Sequence, residues 1–413
     1  MQTAIPDDIT RPDTRAPFTP TPAAAVGSIN LTTEQGDAVD RLVQGTKDRL
    51  TVGSIQTLGG YAGTGKTVVV SELSRRLPGY AVCAYTGKAA DILRRKGLSA
   101  STIHSLIYRP ETDPRTKRVK FNLIRPQELS AQGFIVDEAS MVGADILRDL
   151  QAFRRPIIAV GDHGQLPPVG NDAGLMADPM IRLEQIHRNA GPIARFAEHL
   201  RKGYGAAEWK EAAEPGKPRV YVVEAEEATD DRLARAHQII CAYNKTRVAL
   251  NRRTRRALNI TDGSPEADAI PVVGDRVMCL RNNRDFGVFN GQQGVVADIR
   301  TRGYEMLFRP SFASAVWLLY HPEGFDKEKP PEYDNNDRGR FNTEAAPIPF
   351  DYAYAATCHK CQGDEFGKVV VMEERCGMWE HSRWAYTAAS RGKEAILWVK
   401  QGRSASHGGK RRR

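Results

Sequence analysis

The chain is poor in cysteine and lacks both a long apolar run and a cationic leader. Six cysteines in 413 residues are too few for a disulfide scaffold, so we expect a reducing compartment, the cytoplasm of a bacterial or phage-infected cell. No apolar stretch reaches the roughly 18 residues that a transmembrane helix needs. The start, Met1 to Asp8, has neither a basic nor an apolar character, so no secretory signal is expected.

What the chain does have is a globular composition with an excess of positive charge. Hydrophobic residues make up 41% of it, and a chain of this length is expected to form two or three domains of about 150 residues. Lysine and arginine total 59 against 50 acidic residues, which gives a net charge of +9. This balance favours an anionic partner, most simply nucleic acid, but charge alone does not identify it.

The pattern of strands and helices predicts an α/β fold with two such domains. Strands are predicted over Ser54–Leu58, Tyr80–Tyr85, Phe134–Val136 and Ile157–Val160, with helices between them. Repeated strand–helix alternation is typical of a parallel sheet covered by helices. The first α/β domain is therefore predicted over 29–185.

The remaining segments differ in composition. We predict a second α/β domain over 186–262 and 346–402, interrupted at 263–345 by a β-rich insert with a long loop, because turn signals such as Asn290-Gly291 replace the helical spacing there. Residues 1–28, which carry five prolines, are predicted to form a disordered arm. Residues 403–413 are predicted to form a basic tail.

A phosphate-binding loop follows the first predicted strand. Residues Gly60 to Thr67 match the pattern G-x-x-x-x-G-K-[ST] in full. Its glycines let backbone N–H groups turn toward phosphate oxygens, and the helix N-terminus adds a positive dipole. Lys66 is predicted to reach the β- and γ-phosphates of ATP, and Thr67 to hold Mg²⁺. The predicted nucleotide-binding residues of this loop are Gly60, Tyr61, Ala62, Gly63, Thr64, Gly65, Lys66 and Thr67.

Two adjacent carboxylates, Asp137 and Glu138, follow the apolar strand Phe134–Val136. In a parallel sheet they would lie at the carboxyl edge, where ligands bind. Asp137 is predicted to hold Mg²⁺, and Glu138 to orient and deprotonate the attacking water. Together with the phosphate-binding loop, this pair predicts a nucleoside triphosphatase and nothing more specific.

Between about residue 31 and residue 400, further stretches resemble the motifs of superfamily 1 helicases. They occur in the same order as in that superfamily. They are Tyr85–Ala90 (motif Ia), Ser101–Leu106 (Ib), Val136–Met141 (II), Gly161–Gly170 (III), Leu183–Arg188 (IV), Ala356–Gly363 (V) and Tyr386–Gly392 (VI). The combination Ser-Thr-Ile-His-Ser-Leu and Thr-x-His-Lys-x-Gln-Gly is similar to the RecD-like branch. Compact phage helicases of the Dda kind are nearest in size.

The resemblance implies two RecA-like P-loop NTPase domains with a small SH3-like insert in the second. It also implies roles for single residues. Gln35 would read the adenine, Gln165 would sense the γ-phosphate, and Glu365 would help to organise the nucleotide side. Arg188 and Arg391 would be arginine fingers from the second domain. The residues implied to line the single-strand track are Thr86, His104, Thr357 and His359.

Two segments leave alternatives open. Within 107–132, the basic stretch Arg115–Phe121 is either a pin that splits the duplex, as in RecD-like helicases, or a solvated charged loop. Cys358 and Cys361, with Cys376 and His381, fit a zinc site or a redox pair. We prefer two small apolar side chains in a packed turn, because the resemblance places the DNA track in this segment.

The functional prediction is an ATP-dependent helicase that moves 5′ to 3′ on single-stranded DNA. It would unwind forked duplexes in replication, recombination or repair, with ATP and Mg²⁺ as cofactors, proteins of those processes as partners, and no membrane. The alternatives are an RNA helicase of the same superfamily, a P-loop small-molecule kinase, and a remodeller that translocates without unwinding. The direction rests on the resemblance alone.

Overall fold

The structure is a computed structural model. It describes residues 30–48, 53–112, 119–168, 170–185, 191–211, 218–283, 286–300, 305–311, 313–329 and 347–401. The predicted arm and basic tail, most of the long loop of the insert, and Arg188 lie outside these residues. Across the described ranges, no helix combines the length and apolarity needed to cross a bilayer.

The described helices alternate with strands along most of the chain. The helices are α1 Thr33–Asp48, α2 Lys66–Arg76, α3 Gly87–Arg95, α4 Ile103–Ile107, α5 Ala144–Ala152, α6 Pro192–Arg201, α7 Asp230–Ala234, α8 Asn244–Ala257, α9 Pro265–Ala269 and α10 His381–Ala389.

The strands form three larger sheets and one hairpin. They are β1 Ile55–Gly60, β2 Tyr80–Ala84, β3 Ala100–Thr102, β4 Tyr108–Thr112, β5 Val119–Leu123, β6 Gly133–Asp137, β7 Ile157–Gly161, β8 Ile181–Leu183, β9 Arg219–Val223, β10 Gln238–Cys241, β11 Arg276–Cys279, β12 Gln293–Arg300, β13 Glu305–Pro310, β14 Val316–Leu319, β15 Phe350–Tyr352, β16 Ala355–Thr357, β17 Phe366–Met372 and β18 Gly392–Val399.

The first sheet is parallel, with the order β3-β2-β6-β7-β1-β8. Its central strands β6 and β7 are fully buried, as expected for apolar runs covered by helices on both faces. Because β1, β7 and β6 are neighbours, the residues that follow their carboxyl ends meet at one edge. This edge brings the phosphate-binding loop, the acidic pair and the start of motif III together.

The second sheet is also parallel, with the order β16-β10-β17-β18-β9. The fully buried Trp384 and Trp398 lie in its main core, which includes side chains from α6 and α10. The α/β class with parallel sheets predicted from the sequence is thus confirmed. The packing of α10 against this sheet fixes where motif VI points.

A five-stranded antiparallel sheet, β14-β13-β12-β11-β15, forms the insert. One predicted boundary is corrected here. Phe350–Tyr352 was assigned to the second α/β domain, whose range began at 346. Instead it pairs antiparallel with β11, and Phe350 and Tyr352 are buried in the core of the insert. The strand leaves the parallel sheet because its apolar side chains complete this smaller core.

Strands β4 and β5 form an antiparallel hairpin that is separate from the first sheet, with Tyr108 opposite Leu123 and Thr112 opposite Val119. The residues between the two strands, which include Arg115, Lys117 and Arg118, lie outside the described residues. Phe121 on β5 is 57% exposed. The segment predicted to be a pin or a charged loop therefore has a β-hairpin stem with an exposed aromatic ring.

Candidate nucleotide site and single-strand track

The phosphate-binding loop has the backbone that its glycines allow. Gly63 and Gly65 have φ values of +86° and +85°, in the left-handed region that side chains with a Cβ rarely adopt. A Cβ on Gly60 would lie 2.5 Å from Thr64 Oγ1, so this position also requires glycine. The sequence pattern is thus explained by the geometry of the loop.

Lys66 begins α2 and folds back over the loop. Its Nζ donates hydrogen bonds to the carbonyl oxygens of Gly60 and Tyr61, at 2.7 and 2.9 Å. It also lies 3.7 Å from the carboxylate of Asp162. The ammonium is thus held at the centre of the loop by acceptors that phosphate oxygens can replace.

Asp162, directly after β7, is fully buried and connects several parts of the site. Its carboxylate accepts hydrogen bonds from Gly164 N–H and Gln165 Nε2, at 2.9 and 3.0 Å. It also accepts one from the Tyr386 hydroxyl, at 2.9 Å. No role was predicted for Asp162 from the sequence, although it lies in motif III and directly follows a buried strand, whereas Asp137 is the last residue of one.

Tyr386 brings the second domain into the site. It lies on α10, and its hydroxyl oxygen accepts a hydrogen bond of 2.9 Å from Ala62 N–H in the phosphate-binding loop. The same hydroxyl donates to Asp162. Sequence reasoning missed this residue too, although it opens the quoted motif VI. The nucleotide site is therefore built jointly by the two domains.

The acidic pair ends β6. Asp137 is its last residue, and Glu138 takes a left-handed conformation with φ +52°. The N–H of Glu138 donates to Asp137 Oδ1 at 2.9 Å. Burial raises the pKa of Asp137. Burial, and then the negative charge of Asp137, raise the pKa of Glu138 to about 7. A carboxylate in this range is suited to accept a proton from water near neutral pH.

The residues at this edge fit ATP and a divalent cation. Within the described parts of the chain, Glu138 Oε2 and Gln165 Oε1 are buried without a hydrogen-bond partner, which is costly unless a ligand or water satisfies them. Asp137 and the hydroxyl of Thr67 supply the oxygen ligands that hard cations prefer. The donors at this edge therefore fit both groups, and the role of each residue remains a prediction.

Gln35 contacts the phosphate-binding loop. Its amide nitrogen donates to the carbonyl oxygen of Thr64 at 3.0 Å, and its amide oxygen accepts from Thr32 N–H at 3.1 Å. A Cβ on Gly65 would lie 2.3 Å from this nitrogen. Gln35 thus supports the loop in the described structure, and its reading of adenine remains a prediction.

Arg391 is buried and is held within its own domain. Its Nε, Nη1 and Nη2 donate to Thr387 O, Asp364 O and Ser390 Oγ, at 3.0, 3.1 and 2.7 Å. The positive charge of Arg391 nevertheless acts on Glu138 and lowers the pKa of that carboxyl against the larger effect of burial. Its role as an arginine finger therefore stays a prediction that requires movement.

Glu365 borders a cavity of about 190 Å³ between the phosphate-binding loop and the second domain. Its carboxylate pairs with Lys393 at 2.8 Å. Tyr61 and Ala62 line the same cavity from the first domain. Glu365 thus lies beside this cavity, and its role on the nucleotide side remains a prediction.

The predicted track residues lie on both domains. Thr86 caps α3 by accepting from Ala89 N–H at 3.1 Å. The ring of His104 lies 6.0 Å from Tyr85 and 5.5 Å from Tyr108, centroid to centroid. These first-domain residues combine aromatic surface with a helix N-terminus, but their contact with DNA remains a prediction.

On the second domain, Thr357 ends β16 and precedes the short turn Cys358–Cys361. His359, within that turn, packs its ring against Trp379 at 4.8 Å. Burial lowers the pKa of His359, which favours the neutral ring. Thr357 and His359 are thus ordered by packing, and their place on the track remains a prediction.

Cys358 and Cys361 lie in the core of the second domain. Burial raises the pKa of both thiols, the opposite of what a reactive thiolate needs. His381 instead contacts Glu373, at 3.1 Å. In the described part of the chain, no three His, Cys, Asp or Glu residues are grouped to hold a metal ion. The packing is that of small apolar side chains in a turn.

Comparisons with known families add to this geometry. Residues 30–221 match the model of an AAA domain, and residues 352–399 match that of the UvrD-like helicase C-terminal domain. The first match contains the phosphate-binding loop and the acidic pair. The second contains motifs V and VI. Both halves of the described site thus lie in matched regions.

Two curated relatives are ATP-dependent DNA helicases named Pif1. The one from Psychrobacter is 25% identical over 309 residues, which cover 62% of this chain and 46% of that protein. The one from Campylobacter jejuni is 23% identical over 380 residues, which cover 76% of this chain and 81% of that protein. The aligned part of this chain therefore spans less than half of the Psychrobacter relative.

Solved structures show the same fold. A Pif1 helicase from Bacteroides, in complex with ADP-AlF3 and single-stranded DNA, has a TM-score of 0.56 at 19% identity, covering 90% of this chain and 92% of that one. A Pif1 structure that addresses unwinding at forked duplex DNA has a TM-score of 0.56 at 20% identity, covering 89% and 92%. These similarities establish the fold.

The fold and the site define a P-loop NTPase with two RecA-like domains and a nucleotide site between them. The motifs of both domains occur in the order of superfamily 1. The chain is similar to Pif1-like helicases of superfamily 1.

Proposed function

We propose that the protein is an ATP-dependent DNA helicase that translocates on single-stranded DNA and unwinds forked duplexes. The observation that carries this proposal is the joint nucleotide site, in which Tyr386 of the second domain contacts Ala62 and Asp162 of the first. ATP binding and hydrolysis at such a site can change the distance between the domains. The Pif1 structures with single-stranded and forked DNA support the same substrates.

The residues of the site divide the reaction between them. Lys66 and the loop N–H groups would bind the phosphates, and Thr67 and Asp137 would hold Mg²⁺, which would supply positive charge that neutralises phosphate oxygens. Glu138 accepts the proton of the attacking water. Gln165 joins the γ-phosphate to Asp162, and Arg391 and Arg188 neutralise charge from the second domain.

A simple unwinding assay tests this function against its alternatives. A labelled forked DNA duplex should separate in the presence of ATP, and an RNA duplex of the same sequence should not. Preference for RNA would favour an RNA helicase. Strand-independent ATPase activity without separation of either duplex would favour a P-loop small-molecule kinase, and DNA-stimulated ATPase without separation would favour a remodeller.

We further propose that the chain belongs to the RecD-like branch, near the compact Dda-like helicases, and acts in replication, recombination or repair. The motifs Ser101–Leu106 and Thr357–Gly363 and the antiparallel insert support this placement. The six buried free thiols suit a reducing cytoplasm.

The branch assignment predicts movement from 5′ to 3′. Duplexes that carry only a 5′ single-stranded tail should be unwound, because the protein loads on the tail and moves toward the junction. Duplexes with only a 3′ tail should remain intact, and a blunt duplex serves as the control for loading. Unwinding that requires the 3′ tail would contradict the branch and leave the ATPase assignment in place.

The hairpin β4–β5 is proposed to separate the strands at the junction. Phe121→Ala removes an exposed ring that can stack on a base, so unwinding should fall by at least about fivefold. The ATPase rate on single-stranded DNA should not change. Tyr221→Ala, which removes an exposed aromatic from β9, is the matched control and should unwind normally. Equal loss of unwinding and ATPase in Phe121→Ala would place Phe121 in the track or the fold instead.

A further inference from the structure

An ion pair joins the two RecA-like domains beside the predicted track. Lys88, at the start of α3 in motif Ia, contacts the carboxylate of Asp364, which follows motif V, and the two residues are 276 positions apart. Their side chains are only 21% and 11% exposed. Burial raises the pKa of Asp364, and the charge of Lys88 opposes that shift. The pair therefore depends on both charges and on how the domains are placed.

The backbone of Asp364 contacts the candidate arginine finger. Its carbonyl oxygen accepts the 3.1 Å hydrogen bond from Arg391 Nη1. In return, the carbonyl oxygen of Arg391 accepts a hydrogen bond of 2.8 Å from Phe366 N–H. The segment from Asp364 to Phe366 is thus joined to Arg391 at two points, so a shift of this segment displaces the arginine.

The same segment reaches the catalytic carboxylate. A Cβ built on Gly363, the residue before Asp364, would lie 4.0 Å from Glu138 Oε1. Gln362, one residue earlier, donates to the carbonyl oxygen of Leu166 in motif III at 3.1 Å. Asp364 is therefore separated from the ATPase centre by a single tight turn, whereas its side chain contacts Lys88 in motif Ia of the other domain.

The track cations near Asp364 are paired with protein acceptors. Lys88 Nζ also lies 3.4 Å from the carbonyl oxygen of Gly291 in the insert, and Lys360 Nζ donates to Asn290 Oδ1 at 2.8 Å. The Phe289 ring packs directly against Gly87. A Cβ on Gly87 would lie 2.5 Å from Cδ1 of this ring. A phosphodiester oxygen is an anionic acceptor of the same kind as a carboxylate, so a strand that enters the track competes with Asp364 for Lys88.

We propose that Asp364 is a positioning residue that couples occupation of the single-strand track to Arg391. Without DNA, the Lys88–Asp364 pair holds the motif V segment, and with it Arg391, in the second domain. A strand phosphate that takes Lys88 releases Asp364, and the segment moves with Arg391 toward the nucleotide. This inference rests on the proposed function. It explains how ATP hydrolysis would depend on DNA through the contacts of Lys88, Asp364 and Arg391.

Asp364→Asn tests the coupling, because the amide keeps the shape and removes the charge that Lys88 binds. The ATPase rate without DNA should rise by about fivefold or more. The rate at saturating oligothymidine should stay near that of the unmodified protein, so the ratio of stimulated to basal rate falls. Lys88→Met should also raise the basal rate, and it should increase the oligothymidine concentration needed for half-maximal stimulation.

The matched control is Asp326→Asn, which breaks the ion pair of Asp326 with Arg252 between the insert and α8. It should leave both ATPase rates unchanged. Proportional loss of both rates in Asp364→Asn, or no change in either, would overturn the coupling. A double variant of Lys88 and Asp364 that raises the basal rate well beyond either single variant would do the same. If the unmodified protein is not stimulated by oligothymidine at all, the proposed function fails, and this inference fails with it.

Discussion

Lys66→Ala should abolish most ATP turnover, with a loss of at least about 100-fold. The substitution removes the ammonium that lies over the phosphate-binding loop and that binds the carbonyl oxygens of Gly60 and Tyr61. The measurement is steady-state ATP hydrolysis with saturating oligothymidine.

The fold should survive this change. Asp162, the partner of Lys66 at 3.7 Å, keeps its hydrogen bonds from Gly164, Gln165 and Tyr386. The midpoint of thermal unfolding should therefore shift little. Lys368→Ala removes an exposed lysine from β17 and is the control for loss of charge. A folded Lys66→Ala protein with normal turnover would end the assignment of this loop as the ATPase site.

Glu138→Gln should separate nucleotide binding from hydrolysis. The amide preserves the size of the side chain but cannot accept the proton of the attacking water, so turnover should fall by about 100-fold or more. Binding of ATP and of oligothymidine should persist. Turnover is measured as above, and binding is measured with a fluorescent nucleotide and a labelled oligothymidine.

The structure makes this outcome specific to Glu138. Its pKa, raised to about 7, and its buried, unpaired Oε2 are the features of a base and not of a surface carboxylate. Glu226→Gln changes an exposed carboxylate of the second domain and should behave like the unmodified protein. Equal loss of nucleotide binding and turnover in Glu138→Gln would instead identify a structural residue or a metal ligand.

The sequence predicted the central strands because buried parallel strands are continuous apolar runs. Tyr80–Tyr85 and Ile157–Val160 agree with β2 and β7 to within a residue or two. The edge strands β3 and β8 were not predicted. Each of these strands has only three residues, which is too short for a detectable apolar pattern. Each is defined instead by its backbone pairing with a neighbouring strand.

The position of β15 shows a second limit of sequence patterns. The second α/β domain was predicted to resume at 346, but a short apolar run such as that around Phe350 does not specify the sheet that it joins. The choice of sheet depends on tertiary pairing with β11, which is distant in the sequence. The same holds for the hairpin β4–β5, whose strands were recognised only as an interruption of the α/β pattern.

The candidate site divides in the same way. Local spacing identified the phosphate-binding loop and the acidic pair, and the structure brings them to one edge of the first sheet. Contacts between the domains could not be predicted. The Tyr386–Asp162 hydrogen bond joins residues 224 positions apart, and the Lys88–Asp364 pair depends equally on how the two domains pack.

The most direct measurement is the ATPase rate of the unmodified protein with and without single-stranded DNA. A nucleotide site shared by two domains, with the proposed track on both of them, predicts a low basal rate that oligothymidine increases manyfold. The increase should saturate with oligothymidine and weaken with salt, because lysine and arginine contacts to phosphates release counterions. An ATPase rate that is the same with and without oligothymidine would contradict the proposal that the protein is a DNA helicase.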